Sequence, residues 1–170
     1  MTHETQIQQM KTTYTRDIVN KRMTVVREFA APVDRVWQAW TDSKMLEQWW
    51  APKPWKAVTK AMDFREGGQW LYYMQGPDGT KTYDRIDYKS VKPRNSFSAF
   101  VAFCDENGVI NQDLPRWNWT NKFTTSPTGT RVEVEIQFAS EADLLKIAEL
   151  GFQEGFAKAH DNLDQLLAAG

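Results

Sequence analysis

The sequence predicts an α+β fold: a curved antiparallel sheet of about six to seven strands wrapped around a long C-terminal helix, with two short helices after the first strand. Three observations carry this reading. Between Lys56 and Phe138, β-branched and aromatic runs are separated by the turn signals "EGG", "GPDG", "KPRN", "DENG" and "SPTG". After Phe138, apolar residues return at helical spacing. Between the first strand and the sheet, "APVDRVWQAWTDSKMLEQWWAP" carries helix start and stop signals. A sheet and a helix that each offer one apolar face pack most economically on each other.

In chain order, residues 1 to about 16 are polar and without period, and read as a flexible arm, leaving 17–170 as one domain. "IVNKRMTVVREF" (18–29) mixes β-branched residues with charges and reads as the first strand. A helix then starts at Pro32 with Asp34 in its first turn, and Trp37 and Trp40, three apart, share one face. Asp42 or Ser43 caps a second short helix, stopped by Pro52 and Pro54. Trp49 and Trp50 lie about 100° apart on it, so one packs inward and the other lies in a crease or at a mouth. Strands follow at 56–64, 69–75, 80–91, 96–104, 116–125 and 130–138. Ser140 and Asp143 occupy capping-box positions ahead of one long helix, along which Leu145, Ala148, Phe152, Phe156, Ala159, Leu163 and Leu166 recur. Gly151 and Gly155 sit inside it, where each costs about 1 kcal/mol against Ala, which points to a need for space or close approach.

Strand alternation assigns the faces. On 80–91, Thr82, Asp84, Ile86, Tyr88 and Ser90 form the inward set, so Asp84 is an inward carboxylate. On 116–125 the inward set is Trp117, Trp119, Asn121 and Phe123; on 130–138 it is Val132, Val134, Ile136 and Phe138. Arg131, Glu133 and Glu135 point outward, so the two glutamates are surface groups and not an acid/base pair. The interior is therefore aromatic with scattered polar groups, which is how small-molecule cavities are built.

Composition excludes other classes. Formal net charge is −1, so no global field attracts nucleic acid or an anionic membrane, and the aromatic share of 13%, with eight tryptophans, has no basic groove beside it for base stacking. Cys104 is the one cysteine and reads as a half-buried strand residue, which rules out an intramolecular disulfide or a cysteine-based metal cluster. His3 and His160 are the only histidines, so a metal site would rest almost wholly on carboxylates, and neither metal nor cofactor is expected. The start lacks the apolar core of a signal peptide and no apolar run approaches a membrane span, so the reading is a cytoplasmic protein.

The candidate ligand-binding residues are Trp40, Trp49, Trp70, Asp84, Tyr88, Trp117, Trp119, Asn121, Phe152, Phe156 and His160. Each has a plainer alternative. Trp37, Trp40 and Trp49 suit core packing, Asp84 suits a structural carboxylate bonded to a hydroxyl or Arg, and His160 reads as a partly exposed histidine on the helix flank. Carboxylate catalysis needs a second titratable group close by, and His160 is the one attractive partner for Asp84. No catalytic residue is assigned.

Taken together, "FAAPVDRVWQAWTDSKMLEQWWAP" (29–52), "FREGGQW" (64–70), "YKSVKP" (88–93), "FCDENG" (103–108) and "GFQEGFAKAHDNLDQLL" (151–167) resemble the SRPBCC (START-like, Bet v-type) superfamily, and within it the AHSA-type branch named for activators of the heat-shock-protein-ninety chaperone ATPase. The order and spacing of the motifs carry the resemblance, over about residues 20–168. It implies the helix-grip fold, with a cavity between sheet and helix. It also implies three functional classes: a non-catalytic receptor for a small apolar or aromatic molecule, a cyclase- or hydrolase-like enzyme using Asp84 and His160, and a chaperone-interacting protein of the stress response. The receptor ranks first, because the inward face is aromatic with few polar anchors. A homodimer burying Trp50 or Trp55 is the further partner expectation. Ala159 stands where family members often carry a tryptophan, which implies extra cavity volume near that turn or another aromatic filling it.

Overall fold

The computed structural model describes residues 12–169. Eight strands, all paired antiparallel, form one open sheet in the order β1-β2-β8-β7-β6-β5-β4-β3. The strands are β1 (Thr12–Asp17), β2 (Arg22–Phe29), β3 (Lys56–Met62), β4 (Gln69–Gln75), β5 (Lys81–Lys92), β6 (Ser96–Cys104), β7 (Trp117–Ser126) and β8 (Gly129–Phe138). The helices are α1 (Val33–Thr41), α2 (Ser43–Trp49), α3 (Glu141–Glu149) and α4 (Phe152–Ala169). Bulges at Thr59/Ala61 and Tyr88/Ser90 bend the sheet, as an extra unpaired residue does. The concave face closes over α4, and the helix-grip expectation holds.

Three differences from the sequence reading have physical causes. First, β1 was expected to be part of a loose arm. "TTYTRD" offers one apolar side chain, Tyr14, but its backbone completes the edge of β2, and the Tyr14 hydroxyl donates to the Gln153 carbonyl at 3.2 Å. The rest of the expected arm, residues 1–11 with His3, lies outside the described residues. Second, Ile18–Lys21 is a turn, and the strand expected from 18 begins at Arg22. Third, the long helix is two. Gly151 adopts φ +89°, a left-handed conformation that side chains with a Cβ rarely take, and breaks the run into α3 and α4. The break resets the helical phase, so Leu144 and Ile147 are buried while Leu145 faces solvent.

The first two helices follow their local signals. Pro32 sits at the N-cap of α1, one residue ahead of the expected place, and the Asp42 side chain caps α2 by accepting from the Lys44 N–H. Ser140 Oγ accepts from the Asp143 N–H at 3.1 Å and caps α3. Replacing Ser140 by Ala should lower stability by about 1 kcal/mol, the usual worth of such a cap. In thermal unfolding this is a drop of roughly 2–4 °C for a domain of this size, and no drop would mean that the cap is redundant.

Polar contacts dock α4. Arg27 on β2, 4% exposed, reaches Asp161 at 2.9 Å and also binds Asp164 and Thr12. The Asn162 amide donates to the Ala51 carbonyl at 3.1 Å, and Arg35 donates to the Leu167 carbonyl at 3.0 Å. A buried guanidinium without those carboxylates would be strongly destabilising, so this cluster ties β2 to the second half of α4. Among the described residues, no helix is long and apolar enough to cross a membrane.

Candidate functional site

A cavity of about 490 Å³ lies between one end of the sheet and the elbow where α3 meets α4. Inward-facing residues of five neighbouring strands form its floor: Tyr72 and Met74 on β4, Thr82, Asp84 and Ile86 on β5, and Val101 and Phe103 on β6, with Trp117 and Trp119 on β7 and Ile136 on β8. Ile147 and Leu150 of the α3 turn, with Phe152, Gly155 and Phe156 of α4, form its roof; Trp50, Pro52 and Trp55 close its side. Period-2 alternation explains why the strand residues sit there. The elbow at Gly151 explains the space, because the chain turns away from the sheet where a continuous helix would have covered it.

The expected site residues divide by their place along each element. Asp84, Trp117, Trp119, Phe152 and Phe156 lie on the cavity wall. Six do not. Two residues beyond Asp84 and Ile86, Tyr88 packs edge-on to Phe64, with Phe97 beside both. Trp70, two residues before Tyr72, stacks on that ring at 4.0 Å and is covered by Trp50. Asn121, two residues past Trp119 on β7, is fully buried outside the cavity lining, and neither atom of its amide has a hydrogen-bond partner among the described residues. Trp40 meets Trp49, Trp50, Trp119, Phe123, Phe156 and His160. That interlocked group plugs the other half of the sheet–helix interface, so the packing alternative holds for Trp40 and Trp49.

His160 is corrected twice: it is 1% exposed, not partly exposed, and it does not line the cavity. It continues the Phe152–Phe156 stripe one turn further, its ring 4.1 Å from that of Phe156 and 5.5 Å from that of Phe29. Burial first, then the positive charge of Arg27, lower its pKa to about 3. It is a neutral core ring, set apart from the cavity by Phe156, and the geometry does not pair it with Asp84.

The adjacent tryptophans part as their 100° offset requires. Trp49 is fully buried and donates its indole N–H to the Ala39 carbonyl at 2.9 Å. Trp50 lines the cavity and donates to the Tyr72 hydroxyl at 2.8 Å. Trp50 is therefore the member of the pair at the cavity, in place of the expected Trp49, and Tyr72 is a wall residue absent from the expected site. The signal for Tyr72 was available: it shares its strand parity with Trp70 and is the cross-strand partner of Asp84. Gly155 does not permit a close approach, since a Cβ there would meet only Pro52, at 3.9 Å; its missing side chain leaves volume in the cavity instead.

Among the described residues Asp84 is the one charged side chain on this wall, and it is 8% exposed. Burial raises its pKa from 3.8 to about 7, against which a hydrogen bond from Tyr72 acts. Burial, then the Asp84 charge, raise the Tyr72 phenol well above 10. The Trp50 indole thus fixes the Tyr72 hydroxyl, whose residue is the cross-strand neighbour of the carboxyl. The neighbouring Arg85 contributes no charge to it: on the outer face of the sheet it bonds Asp87 at 2.9 Å and the Gly108 carbonyl at 2.8 Å.

A family model described as Activator of Hsp90 ATPase homolog 1-like protein matches residues 30–168. No curated protein matches the chain. Among solved structures, protein Ms6760 from Mycobacterium smegmatis is 35% identical with a TM-score of 0.86, over 94% of this chain and 98% of that one. A protein from Arthrobacter aurescens, determined in solution, is 32% identical with a TM-score of 0.87, over 93% of this chain and 92% of that one. Protein NE0264 from Nitrosomonas europaea is 25% identical with a TM-score of 0.76, over 88% and 96%.

Proposed function

This chain belongs to the Activator of Hsp90 ATPase homolog 1-like family, and on that premise we propose that it is a receptor that holds one small apolar or aromatic molecule between the sheet and the α3–α4 elbow, without transforming it. One observation carries the reading: about 490 Å³ of space walled by indole, phenyl and aliphatic side chains. A water occupies about 30 Å³ of liquid, so the cavity far exceeds what a few trapped waters need, and it falls within the roughly 300–1,000 Å³ of ordinary small-molecule sites. Burial of a ligand's apolar surface, at about 25 cal/mol per Å², supplies the driving force. Catalysis is not proposed, because the one acidic group on the wall has no second titratable partner of suitable range across the cavity. The namesake activity on a chaperone is likewise not transferred, since function resides in a site and not in a fold.

The test uses the neutral fluorophore N-phenyl-1-naphthylamine. Saturable binding of one molecule per chain is expected, with enhanced fluorescence. Gly155→Leu, which fills the cavity from the roof, should weaken it at least tenfold. Gly155→Ala serves as the fold control and should gain about 1 kcal/mol of stability from helix propensity. Absence of saturable binding, or binding indifferent to Gly155→Leu, would refute the proposal.

A further inference from the structure

We propose that the cavity selects molecules bearing a single basic nitrogen, an aryl- or alkyl-amine whose ammonium pairs with Asp84 while its apolar body lies against the aromatic walls. The inference rests on the cavity being a ligand site and names the class of ligand.

The Asp84 carboxylate has acceptor sites left unfilled. An ionised carboxylate offers about four lone-pair sites to donors. Tyr72 on β4 is the cross-strand neighbour of Asp84 and the one hydroxyl that favours its ionised form, and that hydroxyl's own acceptor site is taken by Trp50 at 2.8 Å. Among the described residues, no other element packed against Asp84 brings a positive charge. From β6 come the Phe103 ring, which is its cross-strand partner, and the Cys104 thiol, which burial, then the Asp84 charge, push up to about 11. From its own strand come Thr82 and Ile86 on the wall and the Tyr88 phenol beyond; from the roof come Ile147, Leu150, Phe152 and Phe156. Arg85, its neighbour in sequence, serves the outer face. Among the described residues Asp84 has no ion pair.

Each ligand charge has a distinct consequence there. A hydrocarbon would remove the remaining water from the carboxylate and give nothing in return, which is costly for a buried charge. An anion would add repulsion in a low dielectric. An ammonium supplies the missing charge and up to three donors, and the indole faces of Trp50, Trp117 and Trp119 on the same wall attract it further. Because burial holds Asp84 at about 7, the free protein is half neutralised near that pH, and amine binding draws on the ionised half.

Three probes on one skeleton test this by calorimetry: 1-naphthylmethylamine, the neutral 1-naphthalenemethanol, and 1-naphthoate. At pH 8 the amine should bind at least tenfold more tightly than the alcohol, and the naphthoate least well. Moving from pH 8 to pH 6 should weaken the amine about tenfold, as Asp84 takes up its proton, while the amine itself stays charged. In Asp84→Asn the ratio of amine to alcohol affinity should fall to about one. In Tyr72→Phe, which removes the hydroxyl donor that favours the carboxylate, the midpoint of the amine's pH dependence should move upward. An alcohol that binds as well as the amine, or an amine preference that survives in Asp84→Asn, would overturn the inference and leave the receptor reading standing. Failure of all three probes, together with N-phenyl-1-naphthylamine, would overturn the receptor reading itself.

Discussion

Asp84→Asn should raise the melting temperature by on the order of 10 °C at pH 8 and leave it unchanged near pH 4. The unfolded chain releases this proton near 4, whereas burial holds it in the folded protein up to about 7. Between those values the folded state carries the extra proton, so stability falls as pH rises, and the whole penalty is present above 7. At roughly 1.36 kcal/mol per pH unit, a rise from 3.8 to about 7 amounts to on the order of 4 kcal/mol. For a domain of this size each kcal/mol moves the midpoint by about 2–4 °C. Asparagine keeps the shape and an acceptor for the Tyr72 hydroxyl but has no charge to desolvate. Equal shifts at pH 4 and pH 8, or a loss of stability at pH 8, would show that the carboxylate is not the strained group. A residue that weakens its own fold at neutral pH is the expected mark of a site kept for binding. Saturating 1-naphthylmethylamine should therefore raise the melting temperature of the parent protein more than that of the variant.

What the sequence made legible follows from the period of each element. Alternation along β5 and β7 was enough to turn Asp84, Trp117 and Trp119 inward, because a strand has only two faces. Helical spacing likewise placed Phe152 and Phe156 on one face, whereas His160, one turn further on, was read as a partly exposed flank residue and is buried. Depth along an element is another matter. Asp84 and Tyr88 share a face of β5, and Trp119 and Asn121 share a face of β7, yet only the first of each pair meets the cavity. That distinction depends on where the roof lifts off the sheet, which a single φ at Gly151 decides. Gly151 was singled out by its helix cost, but a cost does not say whether glycine supplies room or a turn. Trp40 and Trp49 show a related limit: a large aromatic is equally suited to fill a core or to wall a cavity, and only the positions of its partners tell which. The edge strand β1 was hidden because an edge is held by backbone hydrogen bonds, which leave no apolar period behind.

Replacing His160 by Leu should remove one contribution to the pH profile, the destabilisation by acid that this imidazole brings between about pH 6.5 and 3. Unfolded, this imidazole takes up a proton near 6.5; folded, it refuses one until about 3, because burial and then Arg27 oppose the charge. The unfolded state therefore binds the extra proton throughout that window, and the His160 contribution to stability falls as pH falls, by on the order of 5 kcal/mol across it. At neutral pH the effect is smaller. Loss of two buried nitrogens without partners among the described residues favours Leu by about 1–3 kcal/mol, and loss of the contacts with Phe29 and Phe156 returns part of that.

His160 and Asp84 act in opposite directions over a shared range. From about 6.5 down to 4, acidification loads Asp84 in the folded state and His160 in the unfolded state, so the two slopes nearly cancel in the parent protein. Urea unfolding at pH 4.5, 6 and 8 should then show a nearly level parent between 4.5 and 6. His160→Leu should gain stability on acidification, and Asp84→Asn should lose it. The double variant should be level again, because the protonation of neither group depends on the other's charge. Parallel slopes in the two single variants would mean that some other group controls the profile. Opposed slopes would place both groups in the dry interior, one on the wall of the cavity and the other behind Phe156, separated as a binding carboxylate and a structural imidazole must be.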